Sequence, residues 1–142
     1  MDMKRLMTGA VVGGITLFVL GYLFYGMLLV DYFAGQVTTE VGREAPIFWA
    51  IGLGELLMAI LVTKAIIKSG SSGWMEGAKV GAMVGFLAWG AVNMIQYGVI
   101  DIYTLTGHMS DAIVELVRTG MAGAVIAMVV AKGTVSAPAS EY

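Results

Sequence analysis

The sequence has no cysteine and only one histidine, His108. The lack of cysteine excludes disulfides, thiolate nucleophiles and iron–sulfur clusters. A single histidine cannot supply a multi-histidine metal centre or a bis-histidine haem within one chain. We therefore expect no cofactor and no metal site.

Charge is also scarce. Only 13% of the residues are charged and 58% are hydrophobic, whereas a soluble domain has about 25% charged residues. This composition excludes an ordinary water-soluble globule. The formal net charge of -2 gives no basic surface for nucleic acid, so we expect no nucleic-acid partner. The class that remains is an integral membrane protein, with the lipid bilayer as its surroundings.

Four apolar runs are long enough to cross a hydrocarbon core, which takes about 20 helical residues. They span about 7–30, 46–67, 74–102 and 111–131. We predict an all-α integral membrane four-helix bundle in one domain, 1–133, with a polar C-terminal tail at 134–142. The first run is longer than the apolar region of a signal peptide, so a span is favoured over cleavage. Pro46 is expected in the first turn of the second span, and Ser110 as the N-cap of the fourth, with Asp111 in its first turn.

Basic residues give the orientation. With both termini on the cytoplasmic side, only Arg43 lies in an outer connection. The residues placed inside are Lys4, Arg5, Lys64, Lys68, Lys79 and Lys132. The prediction is N-in and C-in, in a bacterial cytoplasmic (inner) membrane.

The segment T-G-A-V-V-G-G at 8–14 resembles E-G-A-K-V-G-A at 76–82. The same offset aligns Phe18 with Phe86. A duplication that produced two helical hairpins fits this similarity. Chance similarity stays an equal alternative, because Gly and Ala are abundant.

Small residues recur at the spacing of one helix face, as expected where helices pack closely in lipid. They belong to three ridges: Gly77, Gly81 and Gly85 on the third span; Gly9 and Gly13 on the first; and Gly123, Ala127 and Ala131 on the fourth. Packing within one bundle is the favoured interpretation for any single ridge. An oligomer contact is the alternative.

Five of the polar residues within the apolar runs are predicted to lie at depth in the outer half of the membrane: Glu55, Asn93, Gln96, Glu115 and Arg118. Tyr22 and Tyr25 of the first span reach similar depths. Burying an acid or an arginine near a span's centre costs about 2.5–3.5 kcal/mol, so these groups should face the bundle interior and pair.

This intramembrane polar cluster has two main interpretations. In the first it is a structural staple in which Arg118 bridges Glu55 and Glu115. In the second it lines an outward-opening polar cavity that binds a small solute or relays protons, with Glu55 as the deep titratable group. A contact with a partner subunit is a third, smaller alternative.

Catalysis has little support in the sequence. The nucleophile elbow G-x-S-x-G, the metalloprotease H-E-x-x-H and the P-loop are all absent. We interpret His108 as a solvated residue of the second outer connection. The weaker alternative for it is one ligand of a metal site shared in an oligomer.

The stretch G-Y-L-F-Y-G-M-L-L at 21–29, preceded by G-A-V-V-G-G, resembles the first helix of small bacterial four-helix membrane proteins classed as a domain of unknown function. That family often has W-Y-S-P where this chain has F-Y-G-M. The resemblance implies a four-span fold and no activity.

Taken together, the sequence predicts a small membrane protein that is not an enzyme. It would act as a homo-oligomer or as an accessory subunit of a larger membrane complex. The alternative is a small channel or transporter for a solute, ion or proton, built on the polar cluster.

Overall fold

The computed structural model describes residues 2–132, and the predicted tail at 134–142 lies outside them. The described chain is helical apart from its connections and one antiparallel bridge between Val37 and Tyr103. Its elements are α1 (Met3–Leu23), a π-helical segment (Phe24–Leu28), α2 (Val30–Ala34), α3 (Phe48–Ser69), α4 (Trp74–Val99) and α5 (Leu105–Lys132).

The all-α prediction is confirmed. Four helical stretches are long and apolar enough to cross a membrane: Met3–Leu28, Phe48–Ser69, Trp74–Val99 and Leu105–Ala131. In the fourth stretch, half of the residues of an 18-residue apolar segment are buried. In the first and third stretches the corresponding share is 17%. α5 is therefore the central helix, around which the others pack.

The predicted start of the fourth span was wrong, because the helix begins at Leu105 and Ser110 lies inside it. Thr104 is the residue that caps the first turn. Its hydroxyl oxygen accepts a hydrogen bond from the Gly107 backbone N–H at 3.0 Å, and its carbonyl accepts one from His108 N–H at 3.1 Å. The Ser110 hydroxyl instead lies 2.6 Å from the hydroxyl of Tyr32.

The first span is not one regular helix up to residue 30. After Leu23 the backbone widens into the π-helical segment, in which Leu29 N–H bonds the Phe24 carbonyl at 2.8 Å. The chain then leaves helical geometry at Leu29 before α2 begins. The extra residue in the wide turn changes which side chains face the bundle, as π-bulges at functional sites commonly do.

α3 begins at Phe48, so Pro46 lies two residues before the helix and not in its first turn. At the other end Gly70 adopts a left-handed conformation, with φ of 69°. Its N–H bonds the Ile67 carbonyl, and Ser71 N–H bonds the Ile66 carbonyl, each at 3.3 Å. This pair of bonds is a Schellman cap, which satisfies carbonyls that the helix leaves free.

The glycine ridge of α4 packs directly on α5. A methyl group added at Gly77 would overlap Ala127 and the Gly123 carbonyl, and one at Gly81 would overlap the Thr119 carbonyl. The contacts at Gly85 are with the side chain of Thr119. The ridge thus brings two antiparallel backbones together at a distance that only glycine allows.

α1 uses its glycines in the same way against α3 and α5. A Cβ atom at Gly9 would overlap Thr63 and approach Val130, and a Cβ atom at Gly13 would lie 2.6 Å from Ile126. Both ridges are buried inside the bundle. The interpretation as packing within one chain therefore accounts for them without a partner.

The apolar core fills the half of the bundle where α1 and α4 begin. Its buried members come from α1, α3 and α5: Leu17, Met58, Ala59, Val62, Ile66, Ala122, Ile126, Ala127 and Val130. In α3 the first buried residue is Met58, so the preceding part of this helix packs loosely. The other half of the bundle, which we call the outer half, is left for the polar residues.

Gly81→Ala should destabilise the bundle by about 1–3 kcal/mol, because the added methyl forces α4 and α5 apart against their backbones. Gly90→Ala is the matched control on the same helix. Its nearest neighbour would be the Ala112 methyl at 4.0 Å, an ordinary contact. Unfolding in mixed detergent micelles measures both variants, and equal stability of the two would contradict the packing described.

Candidate functional site

A buried ion-pair triad lies where α1, α3 and α5 meet. Arg118 is 4% exposed and Glu115 is 1% exposed. Arg118 Nη1 lies 2.7 Å from Glu55 Oε1, and its Nη2 lies 3.3 Å from Glu55 Oε2. On its other edge, Nη2 and Nε lie 3.1 and 3.0 Å from the two carboxylate oxygens of Glu115. The guanidinium is thus held by two carboxylates: it makes two hydrogen bonds to Glu55 and one to Glu115, and its Nε lies close to Glu115 without a hydrogen-bond partner among residues 2–132.

Gly21 makes room for this triad. Arg118 Nη1 also donates to the backbone carbonyl of Leu17 at 3.0 Å. A Cβ atom at Gly21 would lie 2.6 Å from the same nitrogen and 3.4 Å from Glu55 Oε1. The guanidinium can therefore reach the α1 backbone only because residue 21 has no side chain.

Tyr25 extends the triad outward from the π-helical segment. Its hydroxyl lies 2.9 Å from Glu115 Oε1 and 2.5 Å from Asp111 Oδ1. Its ring lies beside the guanidinium, with 5.8 Å between Arg118 Cζ and the ring centroid. The ring also contacts Phe33 of α2, which places the wide turn against the bundle.

Asn93 continues the chain of contacts to His108. The Asn93 Nδ2 donates to Asp111 Oδ2 at 2.7 Å and to the Trp89 carbonyl at 3.0 Å. These two acceptors fix the orientation of the amide, so Oδ1 faces His108 Nδ1 at 2.8 Å. Because an amide oxygen only accepts, His108 Nδ1 carries the proton.

The interpretation of His108 as a solvated loop residue was wrong. It lies in α5 and is completely buried, between the rings of Tyr97 and Tyr103. Its Nε2 has no hydrogen-bond partner among residues 2–132. Burial raises the pKa of the Tyr103 hydroxyl, and the negative charges of Asp111 and Glu40 raise it further. The ring that covers the histidine is therefore uncharged.

Seven residues thus form one connected chain of polar contacts, which we call the polar chain. In order they are Glu55, Arg118, Glu115, Tyr25, Asp111, Asn93 and His108. The polar chain ties together all four long helical stretches. Asp111 and His108 were not among the predicted cluster residues.

A sequence signal for these two residues does exist. The ionisable residues of α5 before its basic end are spaced three, four and three residues apart: His108, Asp111, Glu115 and Arg118. This spacing places them on one helix face. The misplaced helix start hid the pattern. The wrong helix start also gives too small a depth for Arg118. Arg118 lies 13 positions after Leu105, which corresponds to about 20 Å of helix.

Two predicted members lie outside the polar chain. Tyr22 is 63% exposed and forms part of a cavity wall. Gln96 is half-buried, and no hydrogen bond of its side chain is found among residues 2–132. In the interpretation as a structural staple, Asn93 and Gln96 each bond across helices. Asn93 does so, to Asp111 and His108 of α5.

A cavity of about 520 Å³ opens above the triad, between the π-helical segment and the loosely packed start of α3. Its walls are largely aromatic and apolar: Phe18, Tyr22, Tyr25, Pro46, Phe48, Ile51 and Trp89. Glu55, Glu115 and Arg118 form its charged floor. Apolar walls with a few convergent polar groups are typical of small-molecule sites.

In comparisons with known proteins, no family model, curated protein or solved structure matches this chain. The resemblance to the four-helix family of unknown function therefore stays an expectation. Any functional inference has to come from the site itself.

The arrangement can hold charge and protons in a dry environment. Within residues 2–132, no group of three His, Asp or Glu side chains has the geometry to hold a metal ion. Glu55 is the carboxylate of the triad with the larger exposed side-chain fraction, 13% against 1% for Glu115. A ligand in the cavity would therefore meet Glu55 first.

Arg118→Met should destabilise the protein by about 3–5 kcal/mol, because the buried Glu115 and the partly buried Glu55 lose their counter-charge. Adding Glu55→Gln and Glu115→Gln to this variant should recover much of that loss. Thermal unfolding in detergent compares the single and triple variants. A triple variant no more stable than the single one would show that the ionic contacts are not what Arg118 contributes.

Proposed function

We propose that this protein is a membrane-embedded binding protein that takes a small amphipathic molecule into the cavity of its outer half. The observation that carries the proposal is the combination of an aromatic cavity of about 520 Å³ with a buried, charged floor. The apolar body of a ligand would lie against Phe48, Ile51 and Trp89. Its polar end would reach Glu55 and the rest of the triad.

The inner half of the bundle favours binding over passage through a single chain. Directly below the floor lie Leu17, Met58 and Ala59, and none of these is more than 8% exposed. The glycine ridges then bring the helices into close contact. A channel or transporter, the alternative predicted from the sequence, would need these layers to separate or a second chain to complete a path.

The orientation of the bundle in the membrane is also part of the proposal. The helix pairs are antiparallel, so the starts of α1 and α4 and the ends of α3 and α5 share one side of the bundle. Arg5 lies there and donates from Nε to the Val130 carbonyl at 3.3 Å. We place this basic side in the cytoplasm, with the cavity toward the outer leaflet of a bacterial cytoplasmic membrane.

A homo-oligomer or an accessory subunit stays a prediction, and the proposed binding role is compatible with either. The ridges that suggested such contacts are used within the chain, so they no longer argue for a partner. The pairing of α1 with α3 and of α4 with α5 is the arrangement that duplicated hairpins would produce. We propose no reaction, in line with the sequence prediction that the protein is not an enzyme.

Filling the cavity tests the proposed function. Ile51→Trp places an indole among the wall residues, whereas Leu53→Trp puts the same group on the exposed face of the same helix. Native mass spectrometry after mild extraction should find small molecules bound to the wild-type protein and to Leu53→Trp. We expect at least a fivefold lower occupancy in Ile51→Trp.

Equal occupancy in Ile51→Trp and Leu53→Trp would contradict the proposed site. So would a wild-type protein that carries no small molecule after mild extraction. The same spectra give the mass of the particle, which separates a monomer from a homo-oligomer and from an assembly with other subunits.

A further inference from the structure

The charges of the polar chain do not balance. It contains three carboxylates, Glu55, Asp111 and Glu115, but only one guanidinium, Arg118. Among residues 2–132, no lysine or further arginine lines the cavity. With His108 neutral, the formal charge of this buried group is therefore two units negative.

His108 is poorly placed to supply the missing positive charge. Its Nδ1 proton already bonds Asn93 Oδ1, and its Nε2 has no partner within the described residues. Protonation would bury a second N–H without an acceptor, which is costly in an apolar setting. The compensation must come from a proton on a carboxyl group or from outside.

One such proton follows from the contacts of Tyr25. Its hydroxyl lies within hydrogen-bond distance of both Asp111 Oδ1 and Glu115 Oε1, but it has a single hydrogen to donate. If both carboxyl groups were ionised, one of these close oxygen pairs would have no hydrogen between its atoms. A proton on one of the two carboxyl groups completes both contacts, as in carboxylate pairs that share a proton. One unit of negative charge is then left.

At the floor of the cavity two carboxylates, Glu55 and Glu115, face a single guanidinium, Arg118, so one formal negative charge remains there. Five aromatic residues line this cavity: Phe18, Tyr22, Tyr25, Phe48 and Trp89. The face of an aromatic ring attracts cations, and the attraction is stronger where water is excluded. The walls are too apolar for a hydrated metal ion, but they suit a cation with an apolar body.

We propose that the cavity binds a monovalent hydrophobic organic cation, such as a lipophilic amine or a quaternary ammonium or phosphonium ion. This inference rests on the proposed binding function and names its ligand class. The charge of the cation lies next to Glu55, and its apolar groups lie among the rings. Binding neutralises the last unpaired charge of the polar chain without disturbing the Arg118 contacts.

Tetraphenylphosphonium and tetraphenylborate test this directly, because they have nearly the same shape and opposite charge. The full chain is placed in phosphatidylcholine nanodiscs, and binding is measured by equilibrium dialysis against empty nanodiscs. We expect saturable binding of one tetraphenylphosphonium per chain and at least tenfold weaker binding of tetraphenylborate.

Variants locate the bound probe. Ile51→Trp should abolish saturable binding of tetraphenylphosphonium, and Leu53→Trp should leave it unchanged. Glu55→Gln should weaken it at least tenfold. If Glu55→Gln does not fold, as judged by gel filtration, the comparison of the two probes on the unaltered protein still decides.

Binding of tetraphenylborate as tight as that of tetraphenylphosphonium would overturn the inference, and so would no saturable binding of the cation. The proposed function has its own outcome. One result is that tetraphenylphosphonium shows no saturable binding while Ile51→Trp still lowers the occupancy of a neutral or anionic molecule found by mass spectrometry. In that case the cavity is a binding site for another class of ligand. If that molecule is unaffected as well, both proposals fail.

Discussion

A guanidinium cannot leave water without partners, and much of this structure follows from the burial of Arg118. Its neutralisation needs carboxylates from two helices, Glu55 on α3 and Glu115 on α5. The Arg118 guanidinium can donate to the Leu17 carbonyl only because residue 21 is a glycine. The residues of α3 before Met58 are not buried, and the ion pair at Glu55 is a polar contact that attaches this part of the helix to the bundle. The space above that contact is the cavity.

The two halves of the bundle are held together by different forces. In the inner half, glycine and alanine let backbones approach closely, and dispersion forces between tightly packed groups stabilise the helices against each other. In the outer half the polar chain connects the helices, and a cavity of about 520 Å³ lies beside it. Close packing in one half and polar contacts in the other together leave room for this cavity.

The gross fold could be predicted because it depends on composition and length. Four apolar runs without a soluble domain between them leave a helical bundle as the favoured structure. The members of the triad could also be found, since Glu55, Glu115 and Arg118 stand out in apolar surroundings. The glycine ridges were visible from their spacing alone.

The outer end of the site depended on local geometry that the sequence signals poorly. Ser110 followed by Asp111 looks like a helix start, but the cap is Thr104, which lacks the acidic residue usually found three positions later. With a helix start at Ser110, His108 is expected in a loop and Asp111 is expected outside the polar cluster. The π-helical segment that aims Tyr25 has no sequence signature, and Gly21 matters only because Arg118 happens to approach it.

The Arg118 guanidinium is paired with the carboxylates of Glu55 and Glu115. Solid-state NMR can measure this by rotational-echo double resonance between ¹⁵N in arginine side chains and ¹³Cδ of glutamate, in an Arg43→Lys background. We expect strong dephasing in lipid bilayers, because the N–O distances are 2.7 to 3.3 Å, and we expect it to disappear when Glu55 and Glu115 are replaced by Gln. Absence of dephasing in the Arg43→Lys protein with both glutamates intact would show that Arg118 is not paired with them.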